Sequence, residues 1–129
     1  MSYNWTDYYE LAKQLGARAE ITGEELSEAL FRSAVSRAYY AAYNLSLNYA
    51  KNLGYEYSNQ RGRHEDLIKF FGDRGDADSK IIALRLESCR DSRTIVDYHT
   101  EIPDDYHSLN RIKDMTIAKV EDVFGLLKS

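Results

Sequence analysis

The chain has 129 residues, 43% of them hydrophobic and 29% charged, with a formal net charge of -4. That length and balance point to one globular domain over 1–129 and exclude a disordered chain. The acidic sum excludes a protein that coats nucleic acid by bulk attraction, and no apolar run approaches the ~20 residues of a membrane span.

The N-terminus MSYNWTDYYELAKQ has neither the basic nor the apolar region of a signal peptide. The lone Cys89 can form no internal disulfide, so a cytoplasmic protein is expected. No glycine-rich phosphate loop, internal repeat or low-complexity segment is present, and a single proline, Pro103, leaves long stretches open to helix.

Five helices are predicted in chain order. The first covers about Thr6 to Ala19, with Tyr8, Leu11, Ala12 and Leu15 at helical spacing. Thr22 and Glu25 form a capping box that starts the second at Gly23; it runs to Leu53 and stops at Gly54. Its apolar stripe is Leu26, Leu30, Ala34, Ala38, Ala41, Leu45 and Tyr49. A short third helix spans His64 to Phe71. The fourth, Asp78 to Tyr98, is expected to turn Ile81, Leu84, Leu86 and Ile95 inward. The fifth follows Pro103, from Asp105 to Leu127, through Leu109, Ile112, Met115, Ile117, Val120, Val123 and Phe124. No segment alternates like a strand, so the expected fold is an all-α, up-and-down bundle of about five helices.

The second helix holds the most distinctive stretch, Arg32-Ser-Ala-Val-Ser-Arg-Ala-Tyr-Tyr-Ala-Ala-Tyr. Ala34, Ala38 and Ala41 make a narrow stripe that lets a neighbour approach closely. Arg37 lies beside that stripe and needs a partner, because burying a lone charge costs several kcal/mol. It reads first as a structural cation neutralised from another helix, with Asp97 the leading candidate, and second as part of an anion site. Tyr39, Tyr40 and Tyr43 read first as packed aromatics and second as stacking surfaces for RNA bases.

This stretch resembles the signature helix of the HEPN superfamily, the nucleotide-binding domain shared by higher eukaryotes and prokaryotes. It is closest to the small stand-alone bacterial and archaeal branch, which combines R-x-A-Y-Y-A with a later R-x3-D-Y. The second element is Arg93-Thr-Ile-Val-Asp97-Tyr98, and His64-Glu-Asp-Leu-Ile-Lys-Phe-Phe resembles the connecting H-x3-[IV]-x2-F element. The resemblance runs from Leu26 onward. It implies a helical bundle that forms a homodimer and, in many members, a ribonuclease of toxin or defence type with an R-x4-6-H motif and no metal or cofactor. In that chemistry the RNA 2'-hydroxyl attacks the adjacent phosphorus, a His moves the proton and an Arg holds the phosphate charge.

Arg93 and His99 fit the motif, with Arg90, Asp97, Tyr98, Arg37 and Tyr40 as binding or supporting residues. Six positions along a helix turn about 600°, so the two side chains converge only if the helix ends near Tyr98 or if they come from different protomers. Thr94 follows the Arg where active members often carry Asn, Asp or His. Glu101 stands where members paired with a nucleotidyltransferase-type antitoxin often carry Tyr.

Arg85, Arg90 and Arg93 fall within roughly 140° of the helical wheel, a basic strip suited to an RNA cleft. Against this, Arg93–Asp97 and Glu87–Arg90 have the spacing of ordinary surface ion pairs. His64 reads as a helix-start residue, His107 as exposed, Asp104-Asp105 as helix N-terminal charge and Cys89 as a small packing residue. The non-enzymatic alternatives are a module that binds a nucleotide or a nucleotidyltransferase partner, and a structural dimer.

Overall fold

The structure, a computed structural model, describes residues 3–22, 26–99 and 105–127, with the side chains of 22 and 105–107 outside that description. Five helices form: α1 Trp5–Thr22, α2 Ser27–Asn52, α3 Arg63–Gly72, α4 Ala77–Tyr98 and α5 Asp105–Leu127. Among the described residues there is no strand. The fold is an all-α helical bundle.

Local chemistry sets several of the helix ends. The Asn4 side-chain oxygen accepts from the Thr6 amide at 3.0 Å, and Asp76 accepts from the Ser79 amide at 2.9 Å, so each occupies an orphan N–H of a first turn. Gly54 stops α2 as its position predicts. Its φ of +92° lets the Tyr55 amide reach back to the Ala50 carbonyl at 2.9 Å, a closure that an L side chain would strain. α2 begins at Ser27 with Leu26 at its N-cap and no side-chain cap, and Thr22 is the last residue of α1, so the start expected at Gly23 behind Thr22 is not observed. Glu25, Thr100, Glu101, Pro103 and Asp104, and the side chains of Asp105 and His107, lie outside the described residues.

Cross-helix pairs give the directions. Ser27 donates to the Ala19 carbonyl where α1 ends and α2 begins. Arg32, early in α2, reaches Val96 late in α4. Along α4 and α5, Arg85 meets Asp122 and Ser88 meets Lys119, while Cys89 approaches Thr116. Glu20 pairs with Lys113, and Tyr9 packs on Phe124. These registers run α1, α2, α4 and α5 up, down, up and down, with α3 laid against α4. α2 is central and packs on all four others. Its Ala34, Ala38, Ala41 and Ala42 are fully buried, the close approach their small side chains permit.

Not every apolar residue faces as the sequence predicts. α4 buries Ile82, Ala83, Leu86, Cys89, Arg93 and Val96, and leaves Ile81 and Leu84 exposed. Adjacent apolar residues at 81–84 fit two helix rotations equally, and the packing of α3 and α5 selects one. Leu11, Leu26 and Met115 are likewise exposed. In their place Tyr9 on α1 and Lys113 and Thr116 on α5 are buried.

Candidate functional site

Arg93 is the most enclosed charge on α4, with 8% of its surface exposed. Its guanidinium carbon lies 5.7, 5.4 and 5.7 Å from the ring centroids of Tyr39, Tyr40 and Tyr98. Its Nη1 sits 3.6 Å from the Asp97 carboxylate and donates to the Tyr98 hydroxyl at 3.4 Å. Asp97 also accepts from the Ser36 hydroxyl at 3.3 Å. Three aromatic faces and one carboxylate thus compensate the charge, and the paired Tyr of α2 meet the Arg-x3-Asp-Tyr of α4.

α4 ends at Tyr98, as convergence of Arg93 and His99 requires, and His99 is its C-cap with extended backbone angles. The His99 carbonyl accepts from Arg32 Nη1 at 2.8 Å, and the same nitrogen serves the Val96 carbonyl at 2.8 Å. Arg32 therefore closes the C-terminus of α4, where a cation is favoured. Within one protomer Arg93 and His99 are not brought together. The first is turned into the tyrosines of α2, and the second is exposed beyond the helix end.

A different imidazole stands beside Arg93. His64, at the start of α3, stacks on Tyr43 at 4.2 Å and on Tyr39 at 5.5 Å, and its Nδ1 shares a 2.5 Å hydrogen bond with the Tyr39 hydroxyl. Burial, with the nearby positive charges of Arg93 and Arg90, lowers its pKa to about 4. Burial also pushes the Tyr39 phenol well above its ordinary range. His64 is thus a neutral ring at neutral pH, wedged between α2 and α4, and more than the helix-start residue its position predicts. Its signal in the sequence was its place in the connecting element.

Arg37 departs from the structural pairing expected for it. Among the described residues no carboxylate pairs with it. Asp97 is committed to Arg93 and Ser36 instead. Arg37 Nη1 donates to the Tyr8 hydroxyl at 3.2 Å, the guanidinium carbon lies 5.6 Å from the Tyr8 ring, and Nε is buried with no partner. This side chain borders a cavity of about 290 Å³ lined by Tyr8, Arg32, Ser33, Ser36, Tyr40 and Asp97. Ser33, Ser36, Arg37 and Tyr40 are spaced i, i+3, i+4 and i+7, so one face of α2 supplies a cation and three hydroxyls. That spacing was readable in advance. The contribution of Tyr8 from α1 was not.

The expected basic strip does not form an open cleft. Arg85 is drawn to Asp122 on α5 at 3.4 Å and Arg93 is buried, while Arg90 faces the Tyr39–His64 pair. Of the two surface pairs expected on α4, Arg93–Asp97 forms and Glu87–Arg90 does not. Cys89 is buried in the core, which raises its thiol pKa to about 12. Among the described residues no three His, Cys, Asp or Glu side chains gather as a metal site. No described helix is long and apolar enough to cross a membrane.

No family model matches the chain, and no curated protein or solved structure matches it at a significant level.

Proposed function

We propose that this chain is a HEPN-type helical module that binds RNA or a nucleotide, working as a homodimer, with a phosphate seated against Arg37. The observation that carries the reading is the uncompensated guanidinium at the cavity between α1, α2 and the end of α4. Arg85 and Arg93 also leave Nε without a hydrogen-bond partner, but each has a carboxylate nearby, at 3.4 and 3.6 Å. Among the described residues Arg37 has none, and a half-buried cation is costly unless an anion completes it. The hydroxyls of Ser33, Tyr8 and Tyr40 add donors from several directions, which suits the tetrahedral oxygens of a phosphate. The acidic total charge does not oppose this, because binding at one cavity needs only a local cation, here Arg37, while Arg32 on the same wall is paired with Glu28.

A second reading, metal-independent RNA cleavage, is favoured by the exposed His99. Its backbone is held by Arg32, which lines the same cavity. In that reading His99 takes the 2'-hydroxyl proton as the 2'-oxygen bonds to phosphorus. The P–O5' bond breaks and the departing 5'-oxygen takes a proton from water, giving a 2',3'-cyclic phosphate. Arg37 holds the phosphate charge, while the caged Arg93 fixes the tyrosines and Asp97 in place.

A labelled single-stranded RNA, titrated at low salt with wild type and variants, tests both. Arg37→Gln is expected to weaken binding at least tenfold, about 1.4 kcal/mol. Equal affinity in that variant overturns the phosphate site. His99→Ala is expected to bind as wild type does but to leave the RNA uncut in a chelator. RNA that wild type also leaves intact removes the cleavage reading alone.

A further inference from the structure

Beside the Arg37 cavity lies a larger one of about 490 Å³, lined by Tyr3, Trp5, Tyr8, Tyr40 and Asn44. Its size falls in the ~300–1,000 Å³ range of small-molecule sites. The two cavities share two walls, Tyr8 and Tyr40. One end of this continuous surface is therefore aromatic and the other cationic.

The aromatic end is ordered by its own contacts. Trp5 meets Tyr3 at 4.8 Å and Tyr8 at 5.5 Å, and Tyr3 meets Tyr8 at 6.4 Å, all edge-to-face. These rings hold one another at the start of α1, where Tyr8 packs against the core and Tyr3 is 56% exposed. Across the cavity, Asn44 is pinned because its Nδ2 donates to the Tyr40 carbonyl at 2.9 Å. Its Oδ1 and second N–H stay available to a polar edge, since an amide carries two donors and an acceptor.

We propose that the aromatic cavity is a nucleobase subsite, occupied by the base of the same ribonucleotide whose phosphate sits at Arg37. The inference rests on the phosphate reading above and adds to it the chemistry of the other half of the ligand. A flat heteroaromatic ring stacks on tyrosine or tryptophan whichever base it is, and the Asn44 amide offers a donor and an acceptor to its edge. Tyr8 belongs to both halves: its hydroxyl accepts from Arg37 and its ring closes the aromatic wall. A purely aliphatic ligand would leave the adjacent guanidinium and hydroxyls unsatisfied. A bare phosphate would leave the aromatic wall empty.

Trp5 is the single tryptophan of the chain, so its emission reports directly on this cavity. The probes are AMP and ribose 5-phosphate, and oligoadenylate with its abasic counterpart, followed by Trp5 fluorescence and by calorimetry. The expected result is quenching by the base-bearing member of each pair, with at least fivefold tighter binding than its abasic partner. Quenching by AMP assigns the subsite to a mononucleotide, and quenching by the oligomer alone assigns it to an RNA strand. Trp5→Leu is expected to erase the difference while preserving affinity for the abasic probes. The exposed Tyr3→Ala, which carries little folding risk, should reduce the difference. Arg37→Gln should weaken every probe. Abasic and base-bearing probes that bind equally, with unchanged emission, overturn the base subsite and leave the phosphate site standing. Indifference of every probe to Arg37→Gln overturns the phosphate reading instead.

Discussion

Two arginines, Arg37 on α2 and Arg93 on α4, show how neighbours decide what a charge does. Arg93 is stabilised by three tyrosine rings and Asp97, so its role is to hold α4 against α2. Arg37 has a ring and a hydroxyl but no anion, so it faces its cavity with unsatisfied capacity. His64 carries a pH prediction. Its native pKa is about 4 against an ordinary 6.5, because burial and then the Arg93 and Arg90 charges disfavour the imidazolium. The native state therefore binds this proton less readily than the unfolded chain. Stability is complete above about pH 6.5 and falls as the pH drops toward 4. Asp66 adds a separate loss at lower pH. Hydrogen bonds from Ser58, Tyr55 and Arg61 hold its carboxyl well below the usual range, and they fail once it protonates. Urea midpoints between pH 7.5 and 4.5 should fall for wild type and fall less for His64→Gln. An equal slope in the two proteins would contradict this assignment.

Helix boundaries are set by short-range chemistry, and most were legible. The predicted start and stop of α3, α4 and α5 agree with the structure to within a residue at each end, because caps, glycines and periodicity act over one turn. Asp76 is a clear case. Its carboxylate accepts from the Ser79 amide, and Asp76→Ala should destabilise the protein, read as a lower denaturant midpoint. An unchanged midpoint would mean that packing alone holds the first turn of α4. Helix rotation was less legible. Ile81-Ile82-Ala83-Leu84 offers apolar residues on every side, and only contact with α3 and α5 chose Ile82 and Ala83 for the core. The candidate site divides in the same way. The face of α2 bearing Ser33, Ser36, Arg37 and Tyr40 follows from spacing, whereas the spacing of Arg93 and His99 did not show that Arg93 is buried among tyrosines and His99 exposed past the helix end.

At the scale of the whole molecule, α2 threads the bundle and meets every other helix, so the residues around it come from distant parts of the chain. Its buried alanines permit that crowding. The proposed homodimer belongs to this scale. Ile81 and Leu84, three residues apart on α4, leave an exposed apolar pair that a second copy could cover. Sedimentation at tens of micromolar should give a dimer that Leu84→Glu weakens. A monomeric wild type would end any mechanism in which two protomers share one RNA.

The sequence by itself determined an all-α bundle of five helices, the small-residue stripe of α2 and the approximate limits of each element. These follow from periodicity, capping and the scarcity of proline, which act between residues a few positions apart. Only the tertiary structure decided that Tyr8 and Trp5 from α1 wall the cavity of Arg37, that His64 rather than His99 stands beside Arg93, and that Asp97 serves Arg93 instead of Arg37. Those outcomes depend on how each helix rotates about its axis as the core closes. That rotation is fixed by the summed packing of the two to four helices each one touches, which no single stretch of sequence contains.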